Sequence, residues 1–188
     1  MAHACLVLAL FGMEIADAKL TLVLMAGLPG SGKTTLAYAL SKLFRWQVVD
    51  KDMYKDILVK QKMDNEEASH AAYEISFAIL RAALNRQHTS VIFDTAALSR
   101  FIIDEVEEII NMTRDVQLKV ILCVADYELR HLRISSRPPQ PTTIRVNPPT
   151  IADYLYHYRH LPQDKLVLDT SADKEACLSE AIRYIAGA

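Results

Sequence analysis

One stretch near the start of the chain constrains its fold more than any other. Residues 27–34, Gly-Leu-Pro-Gly-Ser-Gly-Lys-Thr, fit the pattern G-x-x-x-x-G-K-[ST] of a phosphate-binding loop. The apolar run at 20–26 predicts a buried parallel strand before the loop. The amphipathic segment at 34–43 predicts a helix after it. A strand, a glycine-rich loop and a helix in this order are the context that the motif requires.

The residue types in this loop explain how it can hold phosphate groups. Glycines let the backbone wrap a phosphate without side-chain clashes, and the loop N–H groups and helix N-terminus provide positive potential. Lys33 can reach the β- and γ-phosphates of a nucleotide, and the Thr34 hydroxyl can ligate Mg²⁺. The predicted nucleotide-binding residues are Gly27, Leu28, Pro29, Gly30, Ser31, Gly32, Lys33, Thr34 and Thr35.

Carboxylates follow two further predicted strands. Residues 46–50 and 90–94 each read as a short strand that ends in an aspartate, Asp50 and Asp94. Because ligands of open α/β sheets bind at the carboxyl ends of the strands, both side chains should lie beside the phosphate-binding loop. Asp94 fits the Walker-B position and is predicted to orient Mg²⁺ through water. The alternative for Asp94 is a turn residue at the end of a strand.

The segment after the second strand is the predicted site of the phosphoryl acceptor. An acceptor hydroxyl needs a nearby carboxylate to take its proton. Asp50 and Asp52 are candidates, with Asp52 preferred as the base. Lys55, one helical step further on, is predicted to hold an anionic or hydroxyl-bearing acceptor. The alternative is a helix N-cap followed by a surface lysine.

Three arginines recur on one face of a predicted helix at 126–137. Arg130, Arg133 and Arg137 are spaced i, i+3 and i+7. Such a stripe can close over the phosphates of ATP and stabilise charge in the transition state. Five prolines between 138 and 149 exclude regular structure there, which favours a lid at about 126–160. The alternative is a solvated basic face.

The order of the predicted elements indicates one α/β domain. Strands alternate with helices, and further strands are expected at 116–125 and 165–169. This pattern predicts a parallel sheet with helices on both faces. Residues 20–188 are predicted to form the single domain, and residues 1–19 a partly disordered N-terminal extension.

The net charge and the cysteine content bear on the expected binding partners and on the expected cellular compartment. The formal net charge is -2, so no overall basic field favours nucleic acid as a partner, although a local basic patch is compatible with it. The three cysteines, Cys5, Cys123 and Cys177, are widely spaced and form no metal-binding pattern. They predict reduced thiols in a cytoplasmic protein, and no segment is predicted to enter a membrane.

The motifs together resemble a known family. The chain is similar to the small P-loop kinases, which include polynucleotide kinases, zeta-toxin-like kinases and adenylylsulfate-kinase-like enzymes. The resemblance rests on GLPGSGKTTLA at 27–37, VVDKDMYKD at 48–56, VIFDTAALSR at 91–100, ELRHLRISSR at 128–137 and LVLDTSADKEACLSEAIRYI at 166–185.

The resemblance implies a fold and several residue roles. The fold would be a three-layer P-loop NTPase sandwich with a five-stranded sheet in the order 2-3-1-4-5 and a helical lid. Residues 27–34 would bind ATP. Asp52 would activate the acceptor hydroxyl, Lys55 would contact the acceptor, and Arg100 would face the substrate. The lid arginines would be Arg130, Arg133 and Arg137.

The predicted function is an ATP-dependent, Mg²⁺-requiring kinase. It would transfer the γ-phosphoryl group to a hydroxyl of a small metabolite or nucleotide-type acceptor. A polynucleotide 5′-hydroxyl kinase, a zeta-toxin-like nucleotide-sugar kinase and an ATP-binding regulator without turnover remain alternatives. A GTPase is not expected, because no N/T-K-x-D motif follows Asp94. A ring-forming ATPase is not expected either, because it would need an extra helical domain that these residues do not provide.

Overall fold

Five parallel strands form the centre of the protein. The computed structural model describes residues 19–137 and 157–187. Numbered along the chain, the strands pair in the order 2-3-1-4-5, which confirms the predicted sheet. The elements are β1 (Leu20–Ala26), α1 (Lys33–Phe44), β2 (Gln47–Asp50), α2 (Lys51–Lys60), α3 (Asn65–Arg81), β3 (Val91–Asp94), α4 (Arg100–Asn111), β4 (Val116–Val124), α5 (Tyr127–Ser135), β5 (Lys165–Asp169) and α6 (Lys174–Ala186).

The central strand β1 is buried on both faces because helices cover the sheet on each side. Successive side chains of a strand point to opposite faces. Leu22 and Leu24 accordingly pack in one core with α3 and α4. Val23 and Met25 pack in a second core with α1 and α6. The protein therefore has the three layers expected from the alternation of strands and helices.

Polar caps fix where most helices begin. Asp64 accepts hydrogen bonds from two N–H groups at the start of α3, and Ser99 accepts one at the start of α4. Asp173, rather than Ser171, caps α6. Helix α3 ends at Arg81, and a π-helical turn, Ala82–Arg86, follows it.

Parts of the predicted lid and extension lie outside the described residues. The N-terminal extension falls there except for Lys19, as does the proline-rich stretch from 138 to 149. Helix α5 and residues 157–160 are described parts of the predicted lid. Within the described ranges, no helix is long and apolar enough to cross a membrane. Cys123 and Cys177 are buried free thiols, and burial raises the pKa of Cys123 to about 12.

Candidate functional site

The phosphate-binding loop connects β1 to α1 in a conformation that requires glycine. Gly30 has φ +81°, in the left-handed region that residues with a Cβ avoid. A Cβ on Gly30 would also lie 2.7 Å from the carbonyl oxygen of Arg130. Two independent constraints, backbone conformation and the close approach of α5, therefore specify glycine here.

Helix α5 and Thr170, the residue after β5, form hydrogen bonds with this loop. Arg133 Nη1 donates to the carbonyl oxygen of Gly30 at 3.2 Å and to Thr170 Oγ1 at 2.9 Å. Arg133 Nη2 donates to the carbonyl oxygen of Thr170 at 2.7 Å. The Thr170 hydroxyl in turn donates to the carbonyl oxygen of Ser31 at 2.7 Å. Loop carbonyl oxygens are thus bonded to protein donors.

Two of the three predicted lid arginines contact the phosphate-binding loop. Arg130 is fully buried, and its Nη1 lies 3.4 Å from the carbonyl oxygen of Pro29. Arg133 is half-buried and makes the contacts just described. The i, i+3 spacing does place both residues on one helix face, but that face packs on the phosphate-binding loop. Arg137 alone of the three lines the adjacent cleft.

A buried carboxylate lies beside the loop at the end of β3. Asp94 is 3 % exposed, and burial raises its pKa to about 6, although Lys33 and the Thr34 hydroxyl act in the opposite direction. The negative charges of Asp50 and Asp52 add to the increase. Among the described residues, Asp94 Oδ1 has no hydrogen-bond partner. A buried carboxylate oxygen without a partner, next to a threonine hydroxyl, fits a Mg²⁺ site because Mg²⁺ prefers oxygen ligands.

Asp50 fixes the position of α2. It pairs in register with Asp94 across β2 and β3. Its Oδ1 accepts hydrogen bonds from the N–H groups of Asp52 at 3.0 Å and Met53 at 3.1 Å. Burial raises the pKa of Asp50, and these two hydrogen bonds oppose that increase. Asp50 is therefore the N-cap of α2, whereas Asp52 lies within the first turn of that helix.

Helix α2 presents a carboxylate between two buried lysines. The side chain of Asp52 is 62 % exposed, and Lys51 Nζ lies 3.2 Å from its Oδ1. Lys51 and Lys55 are only 7 % and 8 % exposed. Burial lowers the pKa of Lys55, and the positive charge of Lys51 lowers it further. Lys55 is thus a buried cation rather than the surface lysine of the alternative interpretation.

Sequence reasoning missed two residues of this region, Lys51 and Tyr73. A stripe at helical spacing consists of Tyr73, Phe77, Leu80 and Leu84, and the last three are buried in the core. Tyr73 instead ends the stripe at the cleft, where Lys51 Nζ lies 4.8 Å from its ring centroid. Its hydroxyl lies 3.2 Å from Thr95 Oγ1. The sequence signal that could have placed Tyr73 at the cleft is its hydroxyl at one end of an otherwise apolar stripe, because a buried hydroxyl needs a polar partner.

One cleft of about 810 Å³ collects most of the predicted site residues. Tyr73, Leu98 and side chains of α2 complete its walls. Gly27, Leu28 and Ser31 are buried parts of the loop outside this lining, and Thr35 is exposed on α1. The predicted residues that line the cleft are Pro29, Gly30, Gly32, Lys33, Thr34, Asp50, Asp52, Lys55 and Arg137.

Arg100 is a predicted site residue that the structure does not bring into the cleft. It begins α4 on the solvent side, with its side chain 59 % exposed. Its Nε donates to Asp104 Oδ1 at 2.7 Å, and its Nη2 lies 3.7 Å from Glu107 Oε2. The acidic outer face of α4 holds the guanidinium at the surface, which explains why it does not turn toward the cleft.

Solved structures with this fold include proteins named as kinases. A protein of Chloroflexus aurantiacus j-10-fl, provisionally named a kinase, superposes with a TM-score of 0.68 at 21% identity, covering 89% of this chain and 99% of that one. A sugar kinase of Janibacter sp. HTCC2649 superposes with a TM-score of 0.59 at 19% identity, covering 89% of this chain and 94% of that one. A gluconokinase of Sinorhizobium meliloti 1021 superposes with a TM-score of 0.56 at 14% identity, covering 89% of this chain and 92% of that one.

Comparison of sequences gives the family directly. No curated protein matches the chain significantly. The profile of a family described as AAA domain (AAA_33) matches residues 22–161, which span the phosphate-binding loop, β2, α2, Asp94 and α5. The match covers well over half of the chain and confirms the resemblance to P-loop kinases. This chain therefore belongs to the AAA domain family AAA_33, a P-loop kinase-like family.

Proposed function

We propose that this protein transfers the γ-phosphoryl group of ATP to a hydroxyl of a small metabolite. The observation that carries the proposal is the shared cleft, because Lys33 and Thr34 of the phosphate-binding loop line it together with the exposed carboxylate of Asp52. The names of the structural relatives, a sugar kinase and a gluconokinase, favour an alcohol as the acceptor. The cleft volume of about 810 Å³ accommodates a triphosphate and a small acceptor side by side.

The proposed reaction needs positioning and charge stabilisation more than covalent chemistry by the protein. Lys33 binds the β- and γ-phosphate oxygens. The acceptor oxygen forms a bond to the γ-phosphorus while the bond from that phosphorus to the β,γ-bridging oxygen breaks, and its electron pair leaves with ADP. The acceptor proton passes to the carboxylate of Asp52 and then to water.

Thr34 and Asp94 would hold Mg²⁺ in this proposal. The carboxylate oxygen of Asp94 that lacks a partner and the adjacent Thr34 hydroxyl supply suitable oxygen atoms. Bound Mg²⁺ supplies positive charge that offsets the charge developing on the phosphate oxygens. Arg137 lines the same cleft and is the lid arginine proposed to stabilise the transferring group.

The test uses γ-³²P-labelled ATP and Mg²⁺ with a metabolite extract in one reaction and 5′-hydroxyl RNA or DNA in another. We expect label in a small molecule, which mass spectrometry then identifies. Lys33→Ala should abolish transfer, because it removes the phosphate-binding cation. Lys42→Ala is the matched control, since Lys42 is exposed near the end of the same helix. Equal transfer by wild type and Lys33→Ala would overturn the proposal.

The remaining alternatives give other outcomes of this test. Label on the oligonucleotide would identify a polynucleotide kinase. Label on a nucleotide sugar, with growth arrest on expression that Asp52→Asn relieves, would identify a zeta-toxin-like kinase. ATP binding without transfer in either reaction would favour a regulator. No observation in the described part of the chain favours one of these over a metabolite kinase.

A further inference from the structure

Two buried lysines on one helix face form the least expected feature of the cleft. Lys51 and Lys55 are one helical turn apart on α2, and both line the cleft although each is less than one-tenth exposed. Long lysine stems can be buried while the ammonium group reaches a polar space. Both lysines therefore border the volume that an acceptor would fill.

The protein itself balances these two charges incompletely. Lys51 has Asp52 at 3.2 Å and the face of the Tyr73 ring. Lys55 takes part in none of the ion pairs found among the described residues. Asp52 and Asp56 attract Lys55 only at longer range, while Lys51 repels it. A buried lysine such as Lys55, beside a second lysine and without a closely bound anion, is unfavourable unless a ligand supplies one.

Three aspartates line the cleft, Asp50, Asp52 and Asp56, and Asp50 is engaged in capping α2. Asp50 Oδ1 accepts two N–H groups at the start of α2. Tyr73 also lines the cleft; its hydroxyl lies 3.2 Å from Thr95 Oγ1, and its ring centroid lies 4.8 Å from Lys51 Nζ. Lys51 is thus positioned before any ligand binds, which reduces the ordering cost of binding.

We propose that the acceptor carries an anionic group, a phosphate or a carboxylate, that Lys51 and Lys55 bind together. This inference rests on the proposed kinase function and specifies its substrate class, an anionic alcohol. The anionic group is anchored on the lysine side chains, and the hydroxyl of the same molecule is thereby presented to Asp52, which follows Lys51 directly on α2. Met53 and Ile57, both exposed and lining the cleft, contact the carbon skeleton of the acceptor.

The first experiment measures anion binding without turnover. Wild-type protein is saturated with Mg²⁺ and the β,γ-imido analogue of ATP, so that the phosphate-binding loop is filled. Inorganic phosphate is then titrated at constant ionic strength against chloride, and backbone amide chemical shifts of residues 51–56 are followed by NMR. We expect saturable shifts with phosphate. The double variant Lys51→Gln/Lys55→Gln should weaken this binding by at least about tenfold.

Two controls keep the result specific. Lys55→Arg should retain binding because it keeps the cation, and Lys42→Gln should match wild type because Lys42 is exposed on α1 and does not line the cleft. Affinity for the ATP analogue should be the same in all variants, which also shows that each one folds. The absence of saturable shifts in wild type, or equal phosphate affinity in the double variant, would overturn the inference.

The second experiment compares matched acceptors, namely glycerol, glycerol 3-phosphate and glycerate. We expect phosphoryl transfer to favour an anionic member over glycerol by at least about tenfold in kcat/KM, and the double variant should lose this preference. Preference for glycerol 3-phosphate or glycerate distinguishes phosphate from carboxylate recognition. A preference for glycerol would overturn the inference. The titration needs no turnover, so failure of the anion site and failure of the kinase function give different results.

Discussion

The Thr170 hydroxyl donates a 2.7 Å hydrogen bond to the carbonyl oxygen of Ser31, a residue 139 positions earlier in the chain. The same oxygen atom of Thr170 accepts a hydrogen bond from Arg133. The loop after β5, helix α5 and the phosphate-binding loop are therefore joined through one side chain. Nucleotide binding should depend on this residue even though Thr170 does not line the cleft.

Thr170→Val should weaken nucleotide binding and stability together. Valine keeps the shape of threonine but leaves Ser31 and Arg133 without the hydroxyl. We expect a loss of about 1–2 kcal/mol in the free energy of unfolding and a roughly fivefold to tenfold weaker affinity for a fluorescent ATP analogue. Thr170→Ser, which retains the hydroxyl, should stay close to wild type. Wild-type nucleotide affinity in Thr170→Val would contradict the proposed coupling.

Gly30→Ala should abolish nucleotide binding, and Gly187→Ala provides a closely matched control. Gly30 and Gly187 have nearly the same backbone conformation, with φ +81° and +79°. The backbone cost of alanine is therefore similar at both, about 1–2 kcal/mol. Only at Gly30 does the added Cβ meet the backbone of Arg130. Calorimetric titration with ATP should show binding to Gly187→Ala and none to Gly30→Ala, and equal affinity would contradict this.

Asp94 should make the ligand-free protein less stable as the pH rises from about 4 to about 6. Burial raises its pKa from 3.8 to about 6, so in this window the folded state holds a proton that the unfolded state has lost. Above about pH 6, the raised pKa of Asp94 lowers the free energy of unfolding by about 3 kcal/mol in total. Asp94→Asn should therefore be more stable than wild type at about pH 8 in urea unfolding with EDTA. Asp164→Asn, an exposed site outside the cleft, should follow wild type. Parallel pH profiles for wild type and Asp94→Asn would refute the prediction.

Asp52→Asn should slow phosphoryl transfer without impairing ATP binding. The amide has the size of the carboxylate but cannot accept the acceptor proton, so kcat should fall by about 10²–10⁴-fold. ATP affinity should change little, because the exposed Asp52 side chain contacts Lys51 and no residue of the phosphate-binding loop. Glu74→Gln removes an exposed charge on α3 and should leave kcat unchanged. An unaltered kcat in Asp52→Asn would remove Asp52 from the mechanism.

Arg137→Gln and Arg100→Gln should differ in their effects. Arg137 lines the cleft, so its loss should lower kcat by about 10²-fold if it stabilises the transferring group. Arg100 forms an exposed ion pair with Asp104, which contributes at most about 1 kcal/mol to stability. Steady-state kinetics of both variants, with thermal melts, provide the comparison. A larger kinetic defect in Arg100→Gln would reverse the assignment drawn from the structure.

The sequence predicted the sheet and the loop because their determinants are local. The apolar run of β1, the glycines after it and the strand-terminal Asp94 each act through neighbouring backbone geometry. The order of the strands needed the family resemblance as well. The position of Asp52 and Lys55 followed from the strand edge that precedes them, and both residues line the cleft. Their chemical roles stay predictions.

The arginines of α5 show why the tertiary contacts of the site could not be predicted from the sequence. The spacing of Arg130 and Arg133 specifies a common helix face, but not what that face touches. Contact with the phosphate-binding loop depends on the approach of α5 to Gly30, which is a tertiary relationship. The same holds for Lys51, since burial against Tyr73 of another helix distinguishes it from a surface lysine.

The N-cap at Asp50 has a consequence for redesign of this scaffold. The cap sets the rotational phase of α2, and each added residue would turn the following side chains by about 100° around the helix axis. One insertion between positions 50 and 51 would therefore move the lysines and Asp52 off the cleft at once. Exchange of Met53 or Ile57 leaves the phase intact. New acceptor preferences should accordingly be obtainable by substitution along α2, whereas changes in the length of this junction should destroy the site.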